Sequence, residues 1–82
     1  MLLRIMFHDR PIPVNVPDHG YSEDLLEELT DTLVLRLEAA QKQAPAGWDE
    51  LQTIELEAAS GGWKAVLYFS GDKRPAESLP LR

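Results

Sequence analysis

The stretch SEDLLEELTDTLVLRLEAAQKQ, residues 22–43, is the longest helical pattern in the chain, and it decides how the rest can fold. Apolar residues recur in it every three or four positions, the spacing of one face of an α-helix. Ser22 suits an N-cap, and the acidic residues after it suit the positive end of the helix dipole. We therefore predict a helix over residues 22–43 with one apolar stripe facing a core: Leu26, Leu29, Leu33, Leu37, Ala40 and Ala44.

Two short runs before the helix, residues 2–7 and 12–16, alternate apolar and polar side chains. This alternation is typical of half-buried β-strands, and we predict a hairpin with a four-residue loop, 8–11. That loop length directs the missing N–H groups of Pro13 and Pro17 away from the first strand. Because a proline cannot donate to a ladder, the sequence predicts that the second strand lies at an edge of the sheet.

Two further strand patterns follow the helix, over residues 51–59 and 63–70. Gly61-Gly62 suits a two-residue hairpin loop in which both residues adopt positive φ. That loop predicts Leu56 opposite Leu67 in the second hairpin.

The resulting order, ββαββ, predicts a two-layer α+β sandwich: a four-stranded, mainly antiparallel sheet packed on one helix. The domain is expected to span residues 1–71, followed by a flexible C-terminal tail over 72–82 in which Leu79 and Leu81 are candidates for docking. Either the third or the fourth strand could lie beside the first. An all-antiparallel arrangement favours the third strand.

Composition excludes several classes of function. The 82 residues include no cysteine, which excludes disulfides, cysteine-ligated metals and thiol catalysis. A net charge of −6 argues against direct binding to nucleic acid, which needs clustered basic residues. No apolar run approaches the length needed to cross a bilayer. We expect a cytoplasmic protein, because small secreted domains usually need disulfides. We expect no cofactor and no metal, because the sequence has no recognisable ligand-binding motif.

Histidines and carboxylates outside the helix are weak candidates for chemistry. His8 and His19 each neighbour an aspartate, but they fall at opposite ends of the first predicted hairpin and cannot form one site within a single chain. Glu55 and Glu57 share the outward face of the sheet, where a solvated pair is the favoured interpretation. Tyr68, with two basic residues on that face, is a poor match to a base-stacking platform. We assign no catalytic residue.

The strongest candidate site lies on the predicted helix, on the side opposite its apolar stripe. At about 100° per residue, four carboxylates and one leucine converge there. We name this set the acidic helix face: Asp24, Glu27, Asp31, Leu35 and Glu38. A leucine among carboxylates has no core role in a monomer, and it resembles the centre of a binding hot spot with a charged rim. The set is predicted to bind a protein partner.

The segment PVNVPDHGYSEDLLEEL, residues 13–29, resembles the strand-to-helix junction of small HicB-like antitoxins. The resemblance covers under a quarter of the chain, and the predicted strand order after the helix departs from that family's pattern. It therefore implies no residue role here.

Three hypotheses of function remain. The first is a small acidic, non-enzymatic module that binds a basic surface of a nucleic-acid-handling protein, as inhibitors, antitoxins and anti-defence proteins do. The second is a homodimeric structural or accessory protein that associates through the open sheet face or the side of the fourth strand. The third is an enzyme with an unrecognised acidic site, or one assembled across a dimer by His8 and His19.

Overall fold

The computed structural model describes residues 1–71 and 75–82, and in these residues one α-helix packs on a five-stranded mixed sheet. In the order in which they lie side by side, the strands are β1 Leu2–Phe7, β2 Arg10–Asn15, β3 Leu51–Ala59, β4 Gly62–Phe69 and β5 Glu77–Pro80. All neighbours are antiparallel except β2 and β3. A short 3₁₀ helix, Trp48–Glu50, leads into the third strand. The α+β class is confirmed, but the prediction of four strands is wrong. The helix, α1, spans Glu23–Gln43.

Helix α1 begins and ends where the sequence predicts. The Ser22 hydroxyl accepts a hydrogen bond from the Leu25 N–H at 3.1 Å, so Ser22 is the N-cap. The Ala44 N–H closes the last turn by donating to the Ala40 carbonyl at 3.0 Å. Most leucines of the predicted stripe are buried against the sheet, but Leu26 is only half-buried and Ala44 is exposed. The fully buried helix residues are Leu29, Leu33 and Leu37.

The first hairpin has a two-residue loop, so the predicted four-residue loop is wrong. His8 and Asp9 adopt φ of 52° and 62°, a left-handed conformation that these two residue types tolerate better than most. Phe7 pairs with Arg10 as a result, and Ile5 pairs with Ile12. The register is shifted by two residues from the prediction, and a shift of two leaves every side chain on its original face.

Strand β2 lies inside the sheet, between β1 and β3, so its prediction as an edge strand is wrong. The prolines do face away from β1, but β3 runs along that side. Pairing between β2 and β3 is confined to Val14 with Ile54 and Asn15 with Glu55, just beyond Pro13. The helix crossover returns the chain parallel to β2 and places β3 beside it, which overturns the expectation that the third strand lies beside the first.

The second hairpin is also shifted by two residues from the predicted register. Ser60 and Gly61 form its loop, and Gly61 adopts φ of 80°. Leu56 therefore pairs with Ala65 rather than with Leu67. Gly62 is needed for another reason: a Cβ there would lie 2.0 Å from the backbone oxygen of Arg82.

The C-terminal segment supplies the fifth strand. Glu77–Pro80 pairs with β4, and beyond it the Leu81 N–H donates to the Trp63 carbonyl at 3.0 Å. Leu81 is buried, with 5% of its surface exposed, and Leu79 is half-buried, so both candidates for docking do dock. The tail predicted for residues 72–82 falls partly on 72–74, which lie outside the described residues, and otherwise carries β5.

Candidate functional site

The acidic helix face lies on the solvent side of α1. All five of its residues are exposed, and Leu35 has 66% of its surface accessible. Leu33, two residues earlier and on the opposite side of the helix, is fully buried against the sheet. The helical period therefore brings the five side chains onto one surface, and burying the leucine stripe turns that surface outward.

The four carboxylates of the acidic helix face are exposed to solvent. Among the described residues, no ion pair or hydrogen bond involves the side chains of Asp24, Glu27, Asp31 or Glu38. The Thr30 hydroxyl donates to the backbone carbonyl of Glu27 and leaves its carboxylate untouched. These groups are therefore available to cationic side chains of a partner.

One flank of the acidic helix face is bordered by the end of the chain. An Arg82 guanidinium nitrogen (Nη1) donates to a Glu28 carboxylate oxygen (Oε2) at 3.1 Å, and both side chains are largely exposed. A shallow cavity of about 330 Å³ lies at this contact, lined by Glu28, Leu29, Asp31, Thr32 and Arg82. Sequence analysis missed this contact, because nothing in the pattern connects the last residue of the chain to the helix.

A second cavity, of about 270 Å³, lies where the first hairpin meets the end of α1. Arg10 donates from one guanidinium nitrogen to the carbonyls of Trp48 and Leu51, at 3.3 and 3.1 Å. The His8 ring packs edge-on against Phe7 and hydrogen-bonds through Nε2 to the Gln41 side chain. Arg10 therefore links the first hairpin to the segment 48–51, which leads from α1 into β3.

Arg10 was missed as an inward-facing residue, although the sequence carries the signal. It shares the alternation of Ile12 and Val14, so it lies on the helix side of β2. Assigning Arg10 to the loop concealed this relationship.

The two histidines do not form a site within the chain. His8 lies in the loop between β1 and β2, and His19 lies beyond the far end of β2. Across residues 1–71 and 75–82, no group of three or more histidines and carboxylates could hold a metal ion.

Glu55 and Glu57 lie on the open sheet face, as predicted, and each has a polar neighbour there. The Tyr68 hydroxyl donates to a Glu55 carboxylate oxygen at 3.4 Å, and the Lys64 ammonium lies 3.7 Å from Glu57. The negative charge of Glu55 raises the pKa of the Tyr68 hydroxyl, and desolvation and the charge of Glu57 add to the shift. The arrangement is a local polar network on the sheet.

Comparison of the chain with protein-family models, with curated proteins and with solved structures found no match. No helix within the described ranges is both long enough and apolar enough to cross a membrane. The class that the fold defines is a small α+β domain with one helix on a mixed sheet, and such a fold does not by itself specify a function.

Proposed function

We propose that the chain is a small acidic, non-enzymatic interaction module that binds a basic protein surface through the acidic helix face. The observation that carries the proposal is Leu35, two-thirds exposed on α1 among four carboxylates that have no ion pair or side-chain hydrogen bond within the described residues. A leucine in this position loses apolar hydration when a partner covers it. The carboxylates around it select for lysine and arginine on that partner.

The leucine and the carboxylates of the acidic helix face are expected to contribute differently to binding. A central apolar side chain in a well-packed pocket supplies much of the affinity, whereas rim charges mainly steer encounter and fix orientation. A chain with net charge −6 adds long-range attraction toward a positively charged surface. The pairing of a leucine centre with a carboxylate rim therefore favours a partner with an apolar depression inside a basic patch.

Nucleic-acid-handling proteins are the partner class that fits best. Their binding grooves are lined with lysine and arginine that normally contact phosphates. Carboxylates spaced along a helix can occupy such a groove and exclude the nucleic acid. The chain then acts as an inhibitor of the antitoxin or anti-defence type.

The test is a matched pair of charge variants. The double variant Glu27→Lys with Leu35→Lys removes the centre and one rim charge of the face, and both side chains are exposed, so the fold is retained. The control, Glu77→Lys with Ser78→Lys, makes the same change in net charge at exposed positions of β5. A partner is captured from native-host lysate with the wild-type chain and purified, and its affinity for each variant is then measured.

We expect the helix variant to weaken binding more than about tenfold and the β5 variant to change it little. Binding should also weaken as salt concentration rises, because the contact is between opposite charges. Equal losses in both variants would show that only net charge matters, and the proposal would then be wrong.

The homodimer hypothesis has one supporting observation. Large apolar side chains are exposed on the open face of the sheet, including Met6 at 61% and Tyr68 at 37%. Met6 lies on β1, the strand at one edge of the sheet, so a contact between two copies would involve this edge.

A further inference from the structure

The outer edge of β1 has no pairing strand among residues 1–71 and 75–82. The Met1 ammonium donates to the Val16 carbonyl at 2.8 Å, and the Val16 N–H donates back to the Met1 carbonyl at 2.8 Å. Hydrogen-bonded and non-bonded pairs alternate along an antiparallel ladder, so odd-numbered residues of β1 bond to β2. The backbone N–H and C=O groups of Leu2, Arg4 and Met6 therefore point outward, and no neighbouring strand in the described residues meets them.

Exposed apolar side chains concentrate at this same edge. Of the five exposed large hydrophobic residues among those described, three lie on or next to β1: Met1 at 50%, Leu2 at 58% and Met6 at 61%. Natural edge strands are usually short, or carry charges or prolines that prevent pairing. Strand β1 has six residues, no proline and one charge, on Arg4.

We propose that β1 pairs antiparallel with β1 of a second copy of this chain. The strand is self-complementary in one register in particular. A two-fold axis at Ile5 places Arg4 opposite the partner's Met6, and the reverse, so outward backbone groups meet each other. A register centred on Arg4 instead places two arginines opposite each other, which is destabilising.

The register centred on Ile5 also matches the faces of the two sheets. Opposite residues of an antiparallel pair share a face, so Leu3 falls opposite the partner's Phe7 on the helix side of both copies. A continuous sheet of ten strands results, five from each copy. Both helices lie on the same side of it, and the dimer presents two acidic helix faces in one direction. A partner with two basic patches then gains from bivalent binding.

The contact is expected to be weak and sensitive to salt. Pairing along one six-residue strand buries less than the roughly 1,200–2,000 Å² of a stable interface. Each copy carries a net charge of −6, so like-charge repulsion opposes association. Salt screens this repulsion, and the dimer should become stronger as salt rises. Binding of a basic partner to the acidic helix face should respond to salt in the opposite direction, which separates failure of one proposal from failure of the other.

The first test compares proline substitutions at the two sheet edges by analytical ultracentrifugation over micromolar to high-micromolar concentrations. Arg4→Pro removes an outward N–H and leaves the β1–β2 ladder intact. Ser78→Pro is the matched control on β5. There the Leu81 N–H bonds to Trp63, so alternation directs the Ser78 N–H outward as well. We expect the wild type and Ser78→Pro to dimerise with concentration, and Arg4→Pro to stay monomeric.

The second test reads the register and does not depend on tolerance of proline. Met6 is exposed, so Met6→Lys and Met6→Glu should both fold. Lysine falls opposite the partner's Arg4 and should weaken the dimer at least about tenfold, whereas glutamate should maintain or strengthen it. In the wild type, exchange of the Arg4 and Met6 amide hydrogens should slow as protein concentration rises.

Several results would overturn the inference. A wild type that stays monomeric at high micromolar concentration would do so. A dimer that both proline variants retain would also do so, because the contact then lies away from β1. A dimer that both variants lose would do so too, because its loss then reflects a general effect of proline on the fold. Equal weakening by Met6→Lys and Met6→Glu would contradict the register and, with it, the pairing.

Discussion

The two edge strands of this sheet, β1 and β5, differ in the features that prevent a further strand from pairing with them. At the β5 edge the strand is four residues long, begins with Glu77 and ends with Pro80, and the chain beyond it packs against β4 through Leu81. At the β1 edge the strand is six residues long and exposes Leu2 and Met6, and among the described residues no strand lies on the side away from β2. Shortness, charge and proline are the features that natural proteins use to prevent edge-to-edge pairing. The β5 edge has all three, and the β1 edge has only the charge of Arg4.

The difference shows that one sheet can be closed to new strands at one end and open at the other. The β5 edge gains stability inside the chain, from the burial of Leu81. The β1 edge leaves apolar side chains exposed, Leu2 at 58% and Met6 at 61%. A stabilising role within the monomer is thus assigned to one edge, and a role in association is proposed for the other.

Truncating one leucine at each edge should give the largest contrast in stability. Leu81→Ala removes a side chain that is 95% buried, since 5% is exposed, and should lower the free energy of unfolding by about 2–4 kcal/mol. Leu2→Ala, at 58% exposure, should change it by less than about 0.5 kcal/mol. Urea denaturation at low protein concentration, where the chain is monomeric, measures both. Equal losses would remove the distinction between the two edges.

Gly62→Ala should have an intermediate effect, limited to the β5 side. Its Cβ would lie 2.0 Å from the Arg82 backbone oxygen, so the end of the chain has to move. The hydrogen bond from the Trp63 N–H to that oxygen, 3.3 Å long, is then lost, at a cost of about 1 kcal/mol. Faster hydrogen exchange at the Trp63 amide should report the loss.

Ser60→Ala in the same hairpin is the control for Gly62→Ala, because Ser60 is exposed. It should leave exchange at Trp63 unchanged. If both variants accelerate that exchange, the turn rather than the contact with Arg82 protects the amide.

The smallest effect is expected on the open face of β4, where Tyr68 lies beside Glu55. Because the charge of Glu55 raises the Tyr68 pKa most strongly, Glu55→Gln should lower that pKa toward the ordinary value of about 10, and Glu57→Gln should lower it less. Tyrosinate absorbance in a Tyr21→Phe background measures the shift. An unchanged pKa in Glu55→Gln would show that the two side chains do not interact in solution.

The same titration has a consequence for stability. The folded state holds the Tyr68 proton more tightly than the unfolded chain does, so the free energy of unfolding falls as pH rises from about 10 through the folded pKa. Glu55→Gln should reduce this fall. On the open face of the sheet, the side chains around Tyr68 therefore form a polar network, whereas those on β1, Leu2 and Met6, are apolar and exposed.

Both hairpins show which part of a strand arrangement can be predicted from alternation. Alternation identified the buried residues Ile12 and Leu56, but both predicted registers were displaced by two residues. A displacement of two preserves the faces, so the hydrophobic pattern cannot detect it. Turn conformation decides the register, and the left-handed His8-Asp9 pair lacks the glycine or asparagine that usually reveals such a turn.

The fifth strand was missed for a different reason. The segment ESLP is short and contains glutamate, serine and proline, which are poor strand formers. It is a strand because β4 offers a free ladder beside it and because Leu81 has an apolar site to fill. Only the assembled sheet supplies these two conditions.

The acidic helix face could be read from the sequence almost completely. A helix has a fixed angular period, so locating the buried Leu33 also locates the exposed Leu35. The contact of Arg82 with Glu28 beside this face could not be predicted, because it joins residues that are distant in the sequence.

The sequence alone determined the limits of the helix, the faces that α1 and the strands of the two hairpins turn toward the core, and the acidic surface on α1. These properties depend on local periodicity, capping and charge, which are set by residues close together in the sequence. The tertiary structure decided the order of the strands, both hairpin registers and the addition of β5. It also decided that β1, rather than β2, forms an edge. Those properties depend on which backbone groups find partners far away in the chain, and local patterning does not specify such pairing.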